Sequence, residues 1–467
     1  MFEGGTPLNW SIDPVEALRR WPVDRRAALL HSGRHDRHWS RWSLLAEPVG
    51  TFRVTADRRS VWLGPPEHRP PVAFTHRPFA DLRRILNACP GIWVGYLSYD
   101  LGRCIEKLPR DDADERRWPL VELGYCPGYA VHDTLPGRWR ALGSWSGKPV
   151  PEPAGAYPAG RSWRSGPPRS VFTREGYEAA VTAALAYIAA GDAFQINLSQ
   201  RFTAPFEGVM PHATRALFAQ LAAVSPAWYG AYVECGADDA GAVCGRVLSS
   251  ISPELFLMVH AGGRVTTRPI KGTRPAHVDP EVLRTSPKDT AELNMIVDLL
   301  RNDLGRVCRY GSLRVVEPRR IETHPTVHHG VATIEGLLHP SKDTVDLIRA
   351  AMPGGSVTGA PKVRAMQIID ELEPVRRGPY CGAIGVLSKE QSCLNIAIRT
   401  MLVDPARHLL DYSVGGGIVS DSDPAAEYQE TLDKAAAIRE VLAVGSLQDR
   451  LVNAGGAGGA GGAGGAA

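Results

Sequence analysis

Apolar and polar positions follow different periods in different parts of this chain. Early on, short apolar runs bounded by turn residues, such as Gly91-Ile92-Trp93-Val94-Gly95-Tyr96-Leu97, predict strands. Further along, Arg174 to Ala190 carries apolar residues at helical spacing and stops at Gly191, which predicts a helix. Phe194 to Phe202 alternates with period two and predicts a strand. From Asp289 to Asp303 the apolar residues fall at 293, 296, 297, 300 and 304, the buried face of another helix. A last helix is predicted from about Ala425. Between these parts, residues 148–168 hold too many prolines for a helix or a central strand and predict a linker. The chain thus divides into a region 1–147, a linker, a region 169–452, and a tail 453–467 of Gly and Ala after Asn453 that cannot bury a core. Short strands and amphipathic helices without regular βαβ spacing predict an α+β fold, not a doubly wound sheet.

Composition narrows the class. A chain of 467 residues can bury one very large core or two to three domains. With 44% hydrophobic and 22% charged residues it reads as an ordinary soluble enzyme. A net charge of +3, carried by scattered basic residues, gives no reason to expect a nucleic-acid partner. The eight cysteines include no CxxC pair, which predicts reduced, mostly buried thiols in a cytoplasmic protein. Met1-Phe2-Glu3-Gly4-Gly5 has no signal-peptide character, and no run approaches the ~20 apolar residues of a membrane span.

Candidate chemistry begins at Lys271, a lysine in an arginine-rich chain, set in Thr267-Arg268-Pro269-Ile270-Lys271-Gly272-Thr273-Arg274. It is either a side chain snorkelling from a strand end or an amine placed to lose its proton, which a guanidinium does not do. Asp289 and Glu292, three apart, share one side of their predicted helix; Glu427, Glu430 and Lys434 fall within about 60° of one another on theirs. Such carboxylates can ligate Mg²⁺ or simply form solvated faces. Gly354-Gly355-Ser356-Val357-Thr358-Gly359-Ala360-Pro361-Lys362 reads as a loop entering a helix whose first residue is Pro361, and its amides can receive a carboxylate or phosphate. It lacks the P-loop pattern, which argues against a nucleotide hydrolase. Val414-Gly415-Gly416-Gly417-Ile418-Val419 reads as a second loop open to close ligand approach. Either loop could instead be a tight packing turn.

Taken in order, Ser252-Pro253-Glu254, Pro269-Ile270-Lys271-Gly272-Thr273, Ala291-Glu292 with Asp298 to Asp303, Val327-His328-His329, Thr358 to Lys362, Ile398-Arg399-Thr400 and Glu427 to Lys434 resemble the chorismate-utilising enzymes. His31-Ser32-Gly33 and Gly95 to Arg103 extend the resemblance forward, while Leu293-Asn294 and Gly330 depart from the family pattern. The Pro-Ile-Lys-Gly-Thr form resembles the aminodeoxychorismate synthase component I branch; the anthranilate synthase branch typically has alanine at that lysine. The resemblance implies layered antiparallel sheets with outer helices. It also implies Lys271 as covalent nucleophile, Glu254 as general acid, and Mg²⁺ held by Glu292 and Glu430 with Asp289 and Glu427 behind them. Arg399, Tyr380, Lys434, Thr358 and the amides of Gly415, Gly416 and Gly417 would hold substrate. Gln195 stands where water-using relatives carry a lysine, which argues against an isochorismate or salicylate synthase. His329 matches a family histidine near the substrate, either catalytic or structural, and Ser32 matches a tryptophan-binding region. No glutaminase signature is evident, so ammonia is expected from a glutamine amidotransferase subunit. Anthranilate formation and a non-catalytic scaffold are the alternatives carried forward.

Overall fold

The computed structural model describes residues 4–110, 114–155, 162–236, 245–324 and 327–444. Two antiparallel sheets organise them, and both mix strands from before and after the proline-rich stretch. The first runs from Thr6–Leu8 at one edge through Trp42–Ala46, Ala28–His31, Tyr229–Glu234, Val247–Ser252 and Thr400–Asp404 to Leu409–Ile418 and Gln195–Gly208. The second runs from Ile270–Pro275 through Val327–Leu337, Arg264–Arg268, Leu255–Val259, Ser392–Ile396 and Ala383–Leu387 to Ile92–Leu97 and beyond. Their inner faces meet through Ala28, Leu44, Ala46 and Val131 from one side and Ile92, Val94, Cys126 and Val386 from the other. Helices cover the outer faces, giving the layered α+β architecture.

The helices form where capping and periodicity agree. Pro287–Gly305 opens on Ser286, whose hydroxyl accepts from the Asp289 amide at 3.3 Å, with Pro287 in the first turn. Its buried face is Leu293, Ile296, Val297, Leu300 and Leu304, as the periodicity predicts. Pro424–Lys434 opens on Asp423, which accepts from Ala426 at 2.8 Å. Arg174–Ala189 ends before Gly191, whose φ of +85° breaks the helix.

Three local readings change. The stretch 148–168 contains a strand, Trp163–Ser165, paired with Phe206 to Gly208, so part of the predicted linker belongs to the first sheet. Val414 to Ile418 is the end of the strand Leu409–Ile418, paired with Ile196 to Gln200, and not a loop. Pro361 is the residue before the helix Lys362–Leu372, and Gly359–Ala360 pairs with Gln195 and Ile196. The tail 453–467 and Cys244 lie outside the described residues. The seven described cysteines are free; Cys126, Cys235 and Cys381 are buried and the other four half-buried. No helix among the described residues is long and apolar enough to cross a membrane.

One irregularity bears on the site. In the edge strand Ile270–Pro275, Ile270 faces Val331 and Thr273 faces His329, so Lys271 and Gly272 together oppose Gly330. This is a β-bulge, with Gly272 at φ +80°. A Cβ on Gly330 would stand 2.6 Å from the Lys271 carbonyl oxygen, so the bulge seats against bare backbone.

Because Ile296 is fully buried where the helix Pro287–Gly305 meets the second sheet, Ile296→Ala should cost about 2–5 kcal/mol of stability. Chemical denaturation reads this directly; an unchanged midpoint would remove the helix from the core.

Candidate functional site

The site lies where the chain crosses between the two sheets. Glu254 sits on the crossing from Val247–Ser252 in the first sheet to Leu255–Val259 in the second. Arg399 sits on the return crossing, from Ser392–Ile396 to Thr400–Asp404, with φ +50°. The two crossings are tied together: Ile396 N–H donates to the Glu254 carbonyl at 3.0 Å and Ile251 N–H to the Arg399 carbonyl at 3.1 Å. A non-glycine residue in the left-handed region is sparsely populated, and such positions concentrate at functional sites.

Lys271 reaches the strand Leu409–Ile418 from its bulge. Its Nζ lies 3.0 Å from the point a Cβ on Gly417 would occupy, and the Gln195 side-chain carbon and nitrogen lie 3.1 and 3.2 Å from the same point. The amine and the amide therefore crowd one stretch of bare backbone. Gln195 is fully buried, and neither its oxygen nor its nitrogen has a hydrogen-bond partner among the described residues. On the opposite face of the strand, a Cβ on Gly416 would stand 2.8 Å from Glu427 Oε2, 3.7 Å from Glu430 Oε1 and 3.9 Å from Lys434 Nζ. Lys434 Nζ donates to the Gly415 carbonyl at 2.8 Å and pairs with Glu430 at 2.6 Å. The Glu427 Oε1 accepts from Ser422 Oγ at 2.6 Å, while its Oε2 is buried without a partner among the described residues.

The electrostatics follow from this crowding. Desolvation holds the Lys271 ammonium below the ordinary lysine value; Glu292, Glu254 and Glu430 oppose the shift and Lys434 reinforces it. Burial raises Glu254 to about 7, against Ser356, Lys271 and the Ile270 amide, which favour its charged form. Burial also raises Glu292 and Glu427, with Glu430 adding to both, whereas Lys434 brings Glu430 below its ordinary value despite burial. Burial lowers the Arg399 guanidinium, which has no carboxylate partner among the described residues. His329 is buried, its Nδ1 2.9 Å from Thr273 Oγ1 and its Nε2 without a partner among the described residues. Burial, then Arg399, His324 and His328, hold it well below the usual histidine value, so the ring is neutral.

Not every candidate joins this cluster. Asp289 is held by Arg274 at 2.7 Å, and among the described residues no three His, Cys, Asp or Glu side chains are gathered as a ligand set. The four carboxylates read as one metal group therefore do not close on one point. Glu292, Glu427 and Glu430 still fit a hard cation, because burial, with Glu430 adding to it, raises two of them and Glu427 keeps a buried oxygen without a partner among the described residues. The Thr358 hydroxyl donates within its own loop, with the Gly354 carbonyl at 3.0 Å. Tyr380 is buried in the core of the second sheet beside Cys381. Ser32 follows the strand Ala28–His31 of the first sheet, and its hydroxyl donates to the Trp42 carbonyl at 2.7 Å. Thr273 and Ser356 stand in the quoted motifs without a role of their own and Ser422 outside them; their partners His329, Glu254 and Glu427 are 56, 102 and 5 positions away.

Comparison with known proteins matches this arrangement. Residues 26–440 match the model of the chorismate binding enzyme family. The chain is 39% identical to aminodeoxychorismate synthase component 1 of Klebsiella aerogenes, covering 87% of this chain and 92% of that protein. It is 38% identical to anthranilate synthase component 1 of Thermus thermophilus, over 83% of this chain and 84% of the relative. Among solved structures, anthranilate synthase component I of Streptococcus pneumoniae TIGR4 superposes with a TM-score of 0.68 at 28% identity, covering 86% of this chain and 93% of that one. The group gathered at the sheet crossings, a lysine and an arginine without ion-pair partners among the described residues and the acids near them, is thus carried by a chain that belongs to the chorismate-binding enzyme family.

Proposed function

We propose that the cleft converts chorismate and ammonia to 4-amino-4-deoxychorismate, the reaction of aminodeoxychorismate synthase component I. The observation that carries this reading is the Lys271 amine: desolvated, without a hydrogen-bond partner among the described residues, and beside an unpartnered Gln195 amide. At pH 7 an unperturbed lysine is only about 0.04% neutral, so lowering its proton affinity raises the nucleophilic fraction directly.

In the proposed sequence the Lys271 nitrogen bonds to C2 of chorismate, both conjugated ring double bonds shift by one position, and the C4 hydroxyl leaves. Hydroxide is a poor leaving group, and Glu254, still half-protonated near pH 7, supplies its proton so that water departs. Ammonia then bonds at C4, the double bonds shift back and the lysine nitrogen leaves. Arg399, the uncompensated cation, takes a substrate carboxylate, and Lys434 supports the second. Gln195 has no basic group with which to activate water, which favours ammonia as the incoming nucleophile. Glu292 and Glu430 would hold Mg²⁺, with Glu427 behind them; when bound, it supplies positive charge to a substrate carboxylate. Both relatives are named component 1, which supports a partner subunit; in this reading that partner is a glutamine amidotransferase that supplies the ammonia.

Incubating the chain with chorismate, ammonium and Mg²⁺ should yield aminodeoxychorismate, identified by mass and absorbance. Anthranilate as the main product would sink the assignment, and no turnover would favour a non-catalytic homologue. Lys271→Ala should abolish amination while leaving the thermal transition near that of the parent; full activity would return Lys271 to a packing role. Glu254→Gln should lower kcat by about 10²–10⁴-fold. Because the protonated acid is the active form, the parent rate should fall as pH rises through about 7, and the variant should lose that limb. A limb that persists in Glu254→Gln belongs to another group.

A further inference from the structure

The Thr273 hydroxyl stands 2.9 Å from Nδ1 of His329 across the strand pair. The bulge at Lys271 and Gly272 is what brings these two residues opposite each other, because without the extra residue the register would slip by one. His329 is only 2% exposed, and its other nitrogen, Nε2, is buried with no partner among the described residues. The ring is also fixed by the edge of His324, with centroids 5.3 Å apart and planes at 62°. A neutral imidazole carries one proton, and the hydrogen bond at one nitrogen decides what the other offers. If the threonine donates, Nε2 carries the proton and the site gains a donor. If it accepts, Nε2 presents a lone pair. Arg399, which acts on the same ring, has no carboxylate partner among the described residues, so its natural ligand is an anion. A second donor reinforces an anion there, whereas a lone pair repels it.

We infer that Thr273 is a positioning residue whose hydroxyl donates to Nδ1 of His329, holding the ring in its Nε2–H form so that the site presents a neutral donor beside Arg399. Lys271-Gly272-Thr273 then has two tasks, with one bulge presenting the amine and setting the histidine tautomer. The effect on turnover rests on the proposed chorismate reaction; the tautomer itself does not.

The test uses the full chain with ¹⁵N-labelled histidine and no substrate, read by long-range ¹H–¹⁵N NMR, with the His329 signals identified by their loss in His329→Gln. The parent should show the Nε2–H form. Thr273→Val, which keeps the shape and removes the hydroxyl, should give a mixture or the Nδ1–H form, and Thr273→Ser should restore the parent spectrum. With chorismate and ammonium, Thr273→Val should lower kcat about tenfold, the scale of one hydrogen bond, and Thr273→Ser should recover it. An Nδ1–H ring in the parent overturns the inference, as does an unchanged tautomer in Thr273→Val. Should Thr273→Val fail to fold, the parent and Thr273→Ser spectra still decide. If the tautomers behave as stated and the parent turns over no chorismate, the substrate assignment fails and the positioning role stands.

Discussion

The cleft depends on one packing constraint: Gly416 and Gly417 leave a strand with no side chain on either face. A methyl on Gly417 would stand 3.0 Å from the Lys271 amine, and one on Gly416 would stand 2.8 Å from a Glu427 oxygen. Successive residues of a strand point to opposite faces, so these two absences serve opposite sides. The amine and Gln195 lie against one, the acids and Lys434 against the other. Only bare backbone separates them, which is why Glu430 and Lys434 act electrostatically on Lys271. The glycines are used here for thinness, not for flexibility, since the segment is paired along Ile196 to Ser199.

That thin strand couples groups from distant parts of the chain. Lys271 comes from the edge of the second sheet, Gln195 from the first, Glu292 from one helix and Glu430 from another. The two acidic elements are linked at their entrances by Lys288 and Asp421, 3.3 Å apart. Desolvation favours neutral Lys271, while the three acids favour its charged form. An anion entering beside Arg399 would add to the acids' side, and a cation bound between the acids would subtract from it. The protonation state of the amine is therefore set by what occupies the cleft as much as by the protein.

The helices were the legible part. Residues 293, 296, 297, 300 and 304 predict a buried face, and that face is the one observed, because a helix encodes its orientation within a few turns. The long strand from Gln195 was visible for the same local reason. The glycine run predicts a loop because glycine is a poor strand former; its strand state is imposed by pairing with residues more than 200 positions earlier. The strand Trp163–Ser165 was hidden among prolines and is held by its partner at 206–208. In the site, residue identities were legible through the motifs, but their pairing was not. Arg274 takes Asp289 out of the carboxylate group, and Thr273 meets His329 from 56 positions away. Interactions of this kind arise only once the sheets close.

A comparison of two lysines shows what distinguishes chemistry from packing. Lys362 is also desolvated, and burial lowers it too. Its Nζ, however, donates to Asp303 Oδ2 at 2.5 Å and to the Ala351 carbonyl at 2.8 Å, so its charge is answered within the protein and it clamps a helix start. Lys271 has carboxylates nearby but no hydrogen bond to any of them among the described residues. A buried ammonium without a bonded partner is costly, and the cost falls when the proton leaves. For Lys362 two bonded partners work against burial; for Lys271 the nearby acids work against it without a hydrogen bond among the described residues. Two residues of the same type, both in family motifs and both largely out of water, thus differ in one respect: whether the fold supplies the second half of the ion pair.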